Sequence, residues 1–218
     1  MSTISVILPV SSSFAKDFSE FFEKAITSIK TQSVDVEELI IVHTEEETLK
    51  EKLSNYDFSG LTVNLLEFKG EPNFCSQVNY GVENCNTEWF SILEFDDEYS
   101  NIWFKNVKPY TNIYKDVSAF LPIVIDVDGK GQFAGFTNEA TFAANFSQEM
   151  GVLTNETLQS YQNFQISGMV FKKELFTKHG AMKSSIKLTF GYELLLRLTH
   201  NLVKFITIPK IGYKHTNL

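Results

Sequence analysis

The stretch "NFCSQVNYGVENCNTEWFSILEFDDEYS", residues 73–100, changes its hydrophobic period halfway and ends in acids. From Phe74 to about Asn84 the residues Phe74, Val78, Gly81, Val82 and Cys85 recur at helical spacing and share one side. "TEWFSILEF" (87–95) is instead a run of aromatic and aliphatic residues, the composition of a strand covered on both faces. It drives straight into Glu94, Asp96, Asp97 and Glu98. A helix followed by a buried strand is the repeating unit of an α/β fold. In such folds ligands collect at the carboxyl ends of strands, where loops diverge and helix N-termini present unpaired N–H groups.

The flanking sequence repeats that unit. "ISVILPV" (4–10) has the β-branched, uninterrupted apolar character of a central strand. Beyond serines 11–13, Phe14, Phe18, Phe21, Phe22, Ala25, Ile26 and Ile29 recur at helical spacing. "EELIIVH" (37–43) predicts a second strand, and Thr44 with Glu47 has the form of a capping box opening the helix "EEETLKEKL". "LTVNLLEF" (61–68) predicts a third strand. Strands alternating with helices imply right-handed crossovers and a parallel sheet over the first hundred residues. The second half differs: "VSAFLPIVIDVDGKGQFAGF" (117–136) reads as a hairpin around an Asp-Gly-Lys-Gly turn, with Asp126 and Asp128 shaping it. Residues 137–165 are polar with little periodicity. "ISGMVFKK" predicts a strand, "YELLLRLTHN" a short buried helix, and "KFITIPKIGYKHTNL" a strand passing into a polar end. There is no internal repeat.

Within 218 residues no Pro/Ser/Gly-rich linker appears, so one domain is expected. Hydrophobic residues make up 43% of the chain, enough for a sizeable core. The net charge of −8, with Lys and Arg scattered, argues against a nucleic-acid or anionic-membrane binder, because phosphate backbones need clustered cations. A single phosphorylated small molecule is still permitted. The N-terminus "MSTISVILPV" has neither a basic n-region nor a full apolar h-region, and no run approaches the roughly 18–20 apolar residues of a membrane span. A cytoplasmic protein without a transmembrane segment is expected. Cys75 and Cys85, read on one helix at about 1.5 Å per residue, are too far apart for a disulfide. They are expected as free thiols, in keeping with a reducing compartment.

Glu94 and Asp96 are two apart, so in an extended chain both carboxylates project to one side, and Asp97 begins the turn. Hard carboxylate oxygens suit Mg²⁺ or Mn²⁺, held by one or two acids plus substrate phosphates. The alternative is a solvated turn and helix start, with Asp96–Glu98 favoured by the helix dipole.

In order, then, the chain carries "ISVILPV", a helix with "SIKTQS" (28–33), "EELIIVH", a helix with "SQVNYGV" (76–82) and "LEFDDEYS" (93–100). That order resembles the inverting family 2 glycosyltransferases of the GT-A fold. "GMVFKKELFTKHGAM" (168–182) and "YELLLRLTHN" (192–201) are similar to the acceptor-side strand, helix and Leu-rich helix of the same family. The resemblance implies an α/β GT-A fold, a Rossmann-like mixed sheet flanked by helices. It would be a single domain over 1–218, with a nucleotide-sugar half (1–100) and an acceptor half (101–218). It also implies a site. Asp96 matches the second acid of the D-x-D metal motif, Glu94 replaces the first, and Asp97 falls on the following Asp. Pro9, Val10 and Ser11 would lie at the nucleotide side, and Asn79 on the helix facing the diphosphate. His215 stands where some members bring a C-terminal His to the metal or diphosphate; otherwise it is an exposed tail residue.

The chain departs from the family pattern at two places. The Asp-Asp that ends the second strand, whose second Asp binds the base edge, is here His43 and Thr44. His43 can hydrogen-bond a base or ribose, or be structural; Thr44 is explained as a helix cap. The Glu-Asp pair before the Leu-rich helix, which supplies the general base for the acceptor hydroxyl, is here Phe190 and Gly191. Glu193 is the nearest acid, about 200° around a helix from Gly191. It is either the base through a shifted register or an ordinary acid near the helix N-terminus. His179 and His200 read as structural residues at helix ends.

The function expected is a metal-dependent inverting glycosyltransferase moving a sugar from a nucleotide-diphosphate sugar to a glycan or other hydroxyl acceptor, with Mn²⁺ or Mg²⁺. Two rivals stand beside it. One is an inactive GT-A relative that binds nucleotide sugar or glycan. The other is a nucleotidyltransferase, although "PVSSSFAKDF" (9–18) lacks the Gly-rich basic phosphate loop that chemistry usually wants.

Overall fold

The computed structural model describes residues 2–11, 18–139, 141 and 151–217. Four strands lie parallel in the order β3-β2-β1-β4: β1 (Ile4–Val10), β2 (Glu38–Thr44), β3 (Val63–Phe68) and β4 (Trp89–Ile92). Because side chains alternate across a strand, β1 feeds both faces. Ile4, Val6, Leu8 and Val10 pack with Phe22, Ala25, Ile26 and Ile29 of α1 (Phe18–Lys30), whereas Ile7 packs with Val78 and Val82 of α3 (Phe74–Glu83). A Cβ on Gly81 would lie 2.6 Å from Ile7 Cγ2, so a glycine is what lets α3 sit so close to the sheet. The expected start of α1 at serines 12–13 and Phe14 lies outside the described residues.

Beyond β4 the sheet turns mixed, in the order β4-β9-β6-β10-β5. β9 (Val170–Lys172) runs antiparallel to β4 and to β6 (Ala119–Asp128). β6 is parallel to the long strand β10 (Phe205–Asn217), whose far half is antiparallel to β5 (Glu98–Tyr99). β7 (Phe133–Thr137) completes the hairpin with β6, and β8 (Gly151–Leu153) pairs with β10. Asp128 accepts the backbone N–H groups of Lys130 and Gln132 in the hairpin turn, while Asp126 instead takes the Thr137 hydroxyl across the ladder.

Several elements differ from the sequence expectation. Helix α2 (Glu47–Ser54) takes Glu46, not Thr44, as its N-cap, and no side chain caps it. Thr44 ends β2 with its hydroxyl buried and without a partner among the described residues. β4 stops at Ile92 because the chain leaves the β1 ladder after Leu93, whose N–H donates to Ile7 O at 3.0 Å. Helix α4 (Trp103–Ile113) lies in a stretch where no element is expected from the sequence, and Pro109 lies inside it. Pro removes one helical bond, and here burial of Trp103, Phe104 and Val107 outweighs that loss. The polar stretch 151–165 contains β8 and α5 (Asn155–Ser160), the latter capped by Thr154. Two helices, α6 (Glu174–His179) and α7 (Phe190–His200), end at the two histidines read as structural. Cys75 and Cys85 are free and buried, and burial pushes the Cys75 thiol up to about 11. Among the described residues no helix is long and apolar enough to cross a membrane.

Candidate functional site

The site begins where β1 and β4 part. Ile7 O faces β4, so Pro9, two residues on, faces the same side, where the β4 ladder has ended. A residue with no N–H therefore costs no ladder bond at that point and marks the opening of the crevice. On the other side of β1, Val10 O and Val42 O face one another, and both accept from the buried Gln77 amide at 3.0 Å. This bridge from α3 ties the carboxyl ends of β1 and β2 together.

Across the crevice the acidic stretch forms a tight turn in which Asp97 N–H donates to Glu94 O at 3.2 Å. The turn is fixed to β10 rather than to its own strand. Glu94 N–H donates to the Tyr213 hydroxyl at 2.9 Å, and Glu94 Oε1 accepts from Ser167 Oγ at 2.5 Å. Asp97 is fully buried; Thr216 N–H donates to its Oδ1 at 2.9 Å, and His215 Nδ1 lies 3.1 and 3.0 Å from its two oxygens. One atom each from Glu94, Asp97 and His215 lie within 4.8 Å of one another. Asp96, partly buried on the adjacent position, is not in that group.

Burial sets the electrostatics. It pushes the Glu94 carboxyl up to about 7, with the charge of Asp97 adding to the effect. The hydrogen bond it donates to Asp97 holds His215 up to about 9 against the opposing effect of burial. Asp96 is raised too, first by burial and then by Asp97. The cluster thus rests as an imidazolium donating to a buried carboxylate, beside a second carboxyl that titrates near neutrality. Two carboxylates and an imidazole are a donor set that fits Mn²⁺, which accepts nitrogen more readily than Mg²⁺. A cation there has to replace the His215 proton.

Glu94, Ser167 and His215 open onto a cavity of about 590 Å³ walled by Leu188, Phe190 and Gly191. Gly191 has room: the nearest atoms a Cβ there would meet among the described residues are those of Ile166, at ordinary contact distances from 3.5 Å. Glu193 does not line this cavity but another, and both its oxygens are occupied. Arg197 Nε donates to Oε1 at 2.8 Å, Lys183 Nζ lies 2.8 Å from the same oxygen, and these cations hold the carboxyl below its ordinary range. Of the residues expected on the donor side, Pro9 and Val10 end β1, Ser11 follows half-buried, and His43 pairs with Val10 in register. His43 is buried with Nδ1 2.9 Å from Thr44 O. Asn79 is committed to the backbone of Met182, donating to its carbonyl at 2.8 Å and accepting from its N–H at 3.0 Å, which staples α3 to the segment before α7.

Sequence reasoning did not find Ser167, Tyr213, Gln77 or the role of Gln32. Gln32, inside the "SIKTQS" segment, is buried and donates to Ser28 O and Ser100 O, holding the chain just past the acidic turn. A buried amide at the end of a helical segment is the one signal that could have marked it. Nothing local marks Ser167 or Tyr213.

No family model matches the sequence, and no curated protein matches it. Solved structures do match the fold. The crystal structure of S. aureus TarS superposes with a TM-score of 0.72 at 14% identity, covering 99% of this chain and 37% of that one. TarS 1–349 in complex with UDP gives 0.73 at 14% identity, and in complex with UDP-GlcNAc 0.73 at 15% identity. Each covers 99% of this chain, and 60% and 59% respectively of those chains. This chain therefore spans 37% to 60% of the length of the structures it matches. At that identity the likeness is one of fold, and the fold is the α/β GT-A arrangement, a mixed sheet flanked by helices.

Proposed function

We propose that the chain binds a nucleotide-diphosphate sugar over the carboxyl ends of β1 and β4 and transfers the sugar, with inversion, to a hydroxyl acceptor. The observation that carries this is the grouping of Glu94, Asp97 and His215 beside a 590 Å³ cavity that Glu94 and His215 line, at the strand ends where α/β sheets bind ligands. The fold shared with TarS, which takes UDP and UDP-GlcNAc, supports it. Glu94, Asp97 and His215, with Asp96 adjacent, would hold Mn²⁺ or Mg²⁺; the chemistry so supplied is neutralisation of the departing diphosphate. Pro9, Val10, Ser11 and His43 would border the nucleoside, and Asn79 would position α3 beneath it.

The acceptor proton needs a base, and Glu193 is the acid nearest to Gly191, where the resemblance expects one. Its pairing with Arg197 and Lys183 favours a second reading, a donor-binding relative without turnover. Calorimetry with UDP-, GDP- and TDP-sugars in the presence of Mn²⁺ tests binding. One of them is expected to bind and to be lost in Asp97→Ala; no binding to any would sink the proposal. A donor-hydrolysis or transfer assay then separates the readings, since turnover abolished by Glu193→Gln excludes the binder.

A further inference from the structure

A second cavity, of about 460 Å³, lies beside the first and shares Gln162, Phe164, Gln165 and His215 with it. Its outer wall is the β6–β7 hairpin, with Gly135 and Phe136 on β7. Phe136 and Phe133 are both exposed, at 41% and 59%, and their ring centroids are 5.0 Å apart. Single exposed apolar residues are ordinary, but here one ring, Phe136, lines a polar groove and the second, Phe133, extends its apolar surface beside it, which marks a contact surface.

The groove is built in advance. Asn138, held at a positive φ of 69°, accepts from Gln165 N–H at 3.0 Å and donates to Gln165 O and Pro122 O, fixing that segment to β6. Asn163 donates to Phe136 O at 2.7 Å, tying the other side to β7. Gln165 Nε2 is left buried and without a partner among the described residues. The amide presented to both cavities is that of the exposed Gln162, which can donate to and accept from a ligand hydroxyl.

We propose that the acceptor is an uncharged, polyhydroxylated glycan chain laid across the β6–β7 hairpin, its hydroxyls meeting Gln162, Gln165 and Asn163 and its apolar ring faces meeting Phe136 and Phe133. This rests on the transferase reading above and names its acceptor class. The chemistry is specific: amides both donate and accept, as hydroxyls require, and aromatic faces cover the C–H faces of sugar rings. Among the described residues no Lys or Arg lines the groove; His215 does, but its charge is already answered by Asp97, and Asp126 adds a negative one, so an anionic acceptor finds no free cation there. The shared wall carries the chain end from the groove to the cavity of Glu94 and His215.

Gly135 makes the test clean, because a Cβ there meets nothing within 4 Å, so Gly135→Leu fills the groove without crowding the protein. Amide shifts are followed by NMR while cellotetraose, maltotetraose or chitotetraose is added, with tetragalacturonate as the anionic arm and a UDP-sugar titration run separately. At least one neutral tetrasaccharide should bind, and Gly135→Leu and Phe136→Ala should each weaken it about tenfold or more with UDP-sugar affinity unchanged. Binding of none of the neutral sugars, binding of tetragalacturonate alone, or neutral binding untouched by both variants overturns the proposal. So does a concentration-dependent dimer abolished by Phe136→Ala, which would make the hairpin a self-association edge. Loss of UDP-sugar binding alone, with glycan binding intact, counts against the donor site and not against the groove.

Discussion

Replacing Asp97 with Asn removes one charge from a fully buried position while leaving an oxygen to accept the Thr216 N–H. Asp97 holds the His215 imidazolium from an ordinary 6.5 up to about 9. At about 1.4 kcal/mol per pH unit this corresponds to about 3 kcal/mol of folding stability. Because the folded value lies above the unfolded one, that contribution is complete below 6.5 and is lost as pH rises through about 9. The His215 side chain is 27% exposed and Asp97 0%, so solvent screens the pair little. Urea unfolding of the wild type and Asp97→Asn should therefore show a stability gap that is about 3 kcal/mol larger near pH 6 than above about pH 10. In parallel, the His215 ring proton should titrate near 9 in the wild type and fall to about 7 or lower in the variant. Coincident titrations, or a gap that does not change with pH, would refute the ion-pair reasoning.

Three further outcomes follow from the site. Mn²⁺ titrated by calorimetry should bind more tightly as pH rises from about 6 towards 9, with buffer-dependent heats from the released proton; a pH-independent affinity would remove His215 from the ligand set. Gly191→Asp, whose side chain enters the cavity without crowding, should raise donor turnover by about 10²-fold or more if position 191 faces the acceptor hydroxyl. An unchanged rate with donor binding retained would exclude the position. Gly168→Ala meets both a φ of +78° and a Tyr213 carbon at 2.6 Å, so it should cost about 2–4 kcal/mol in urea unfolding, and wild-type stability would contradict the packing described.

The first hundred residues were legible because parallel strands buried on both faces are written as continuous apolar runs, and "ISVILPV" is a strand over the same residues in the structure. What lay beyond β4 was legible only in part. β9 is three residues long, and α4 is held by packing in spite of Pro109. Thr44 shows how a local pattern can mislead: the chain starts its helix later, and the hydroxyl that matched a capping box faces no backbone N–H. In the site, the acids were visible as a cluster and the resemblance put His215 with them, but Tyr213 and Ser167 were not visible. These two reach Glu94 only through the way the chain folds back on the sheet, which leaves no periodic trace in sequence.

The bond from His215 to Asp97 joins residues 118 positions apart, and that of Thr216 spans 119. Asp97 therefore depends on β10 for its partners, and the first hundred residues do not complete the cluster by themselves. Exchange of residues 101–218 between related proteins has to supply a β10 compatible with the acidic turn. In folding, contacts this remote close after the local βα units, so the cluster of Glu94, Asp97 and His215 forms with the docking of β10 and not with the collapse of the parallel sheet.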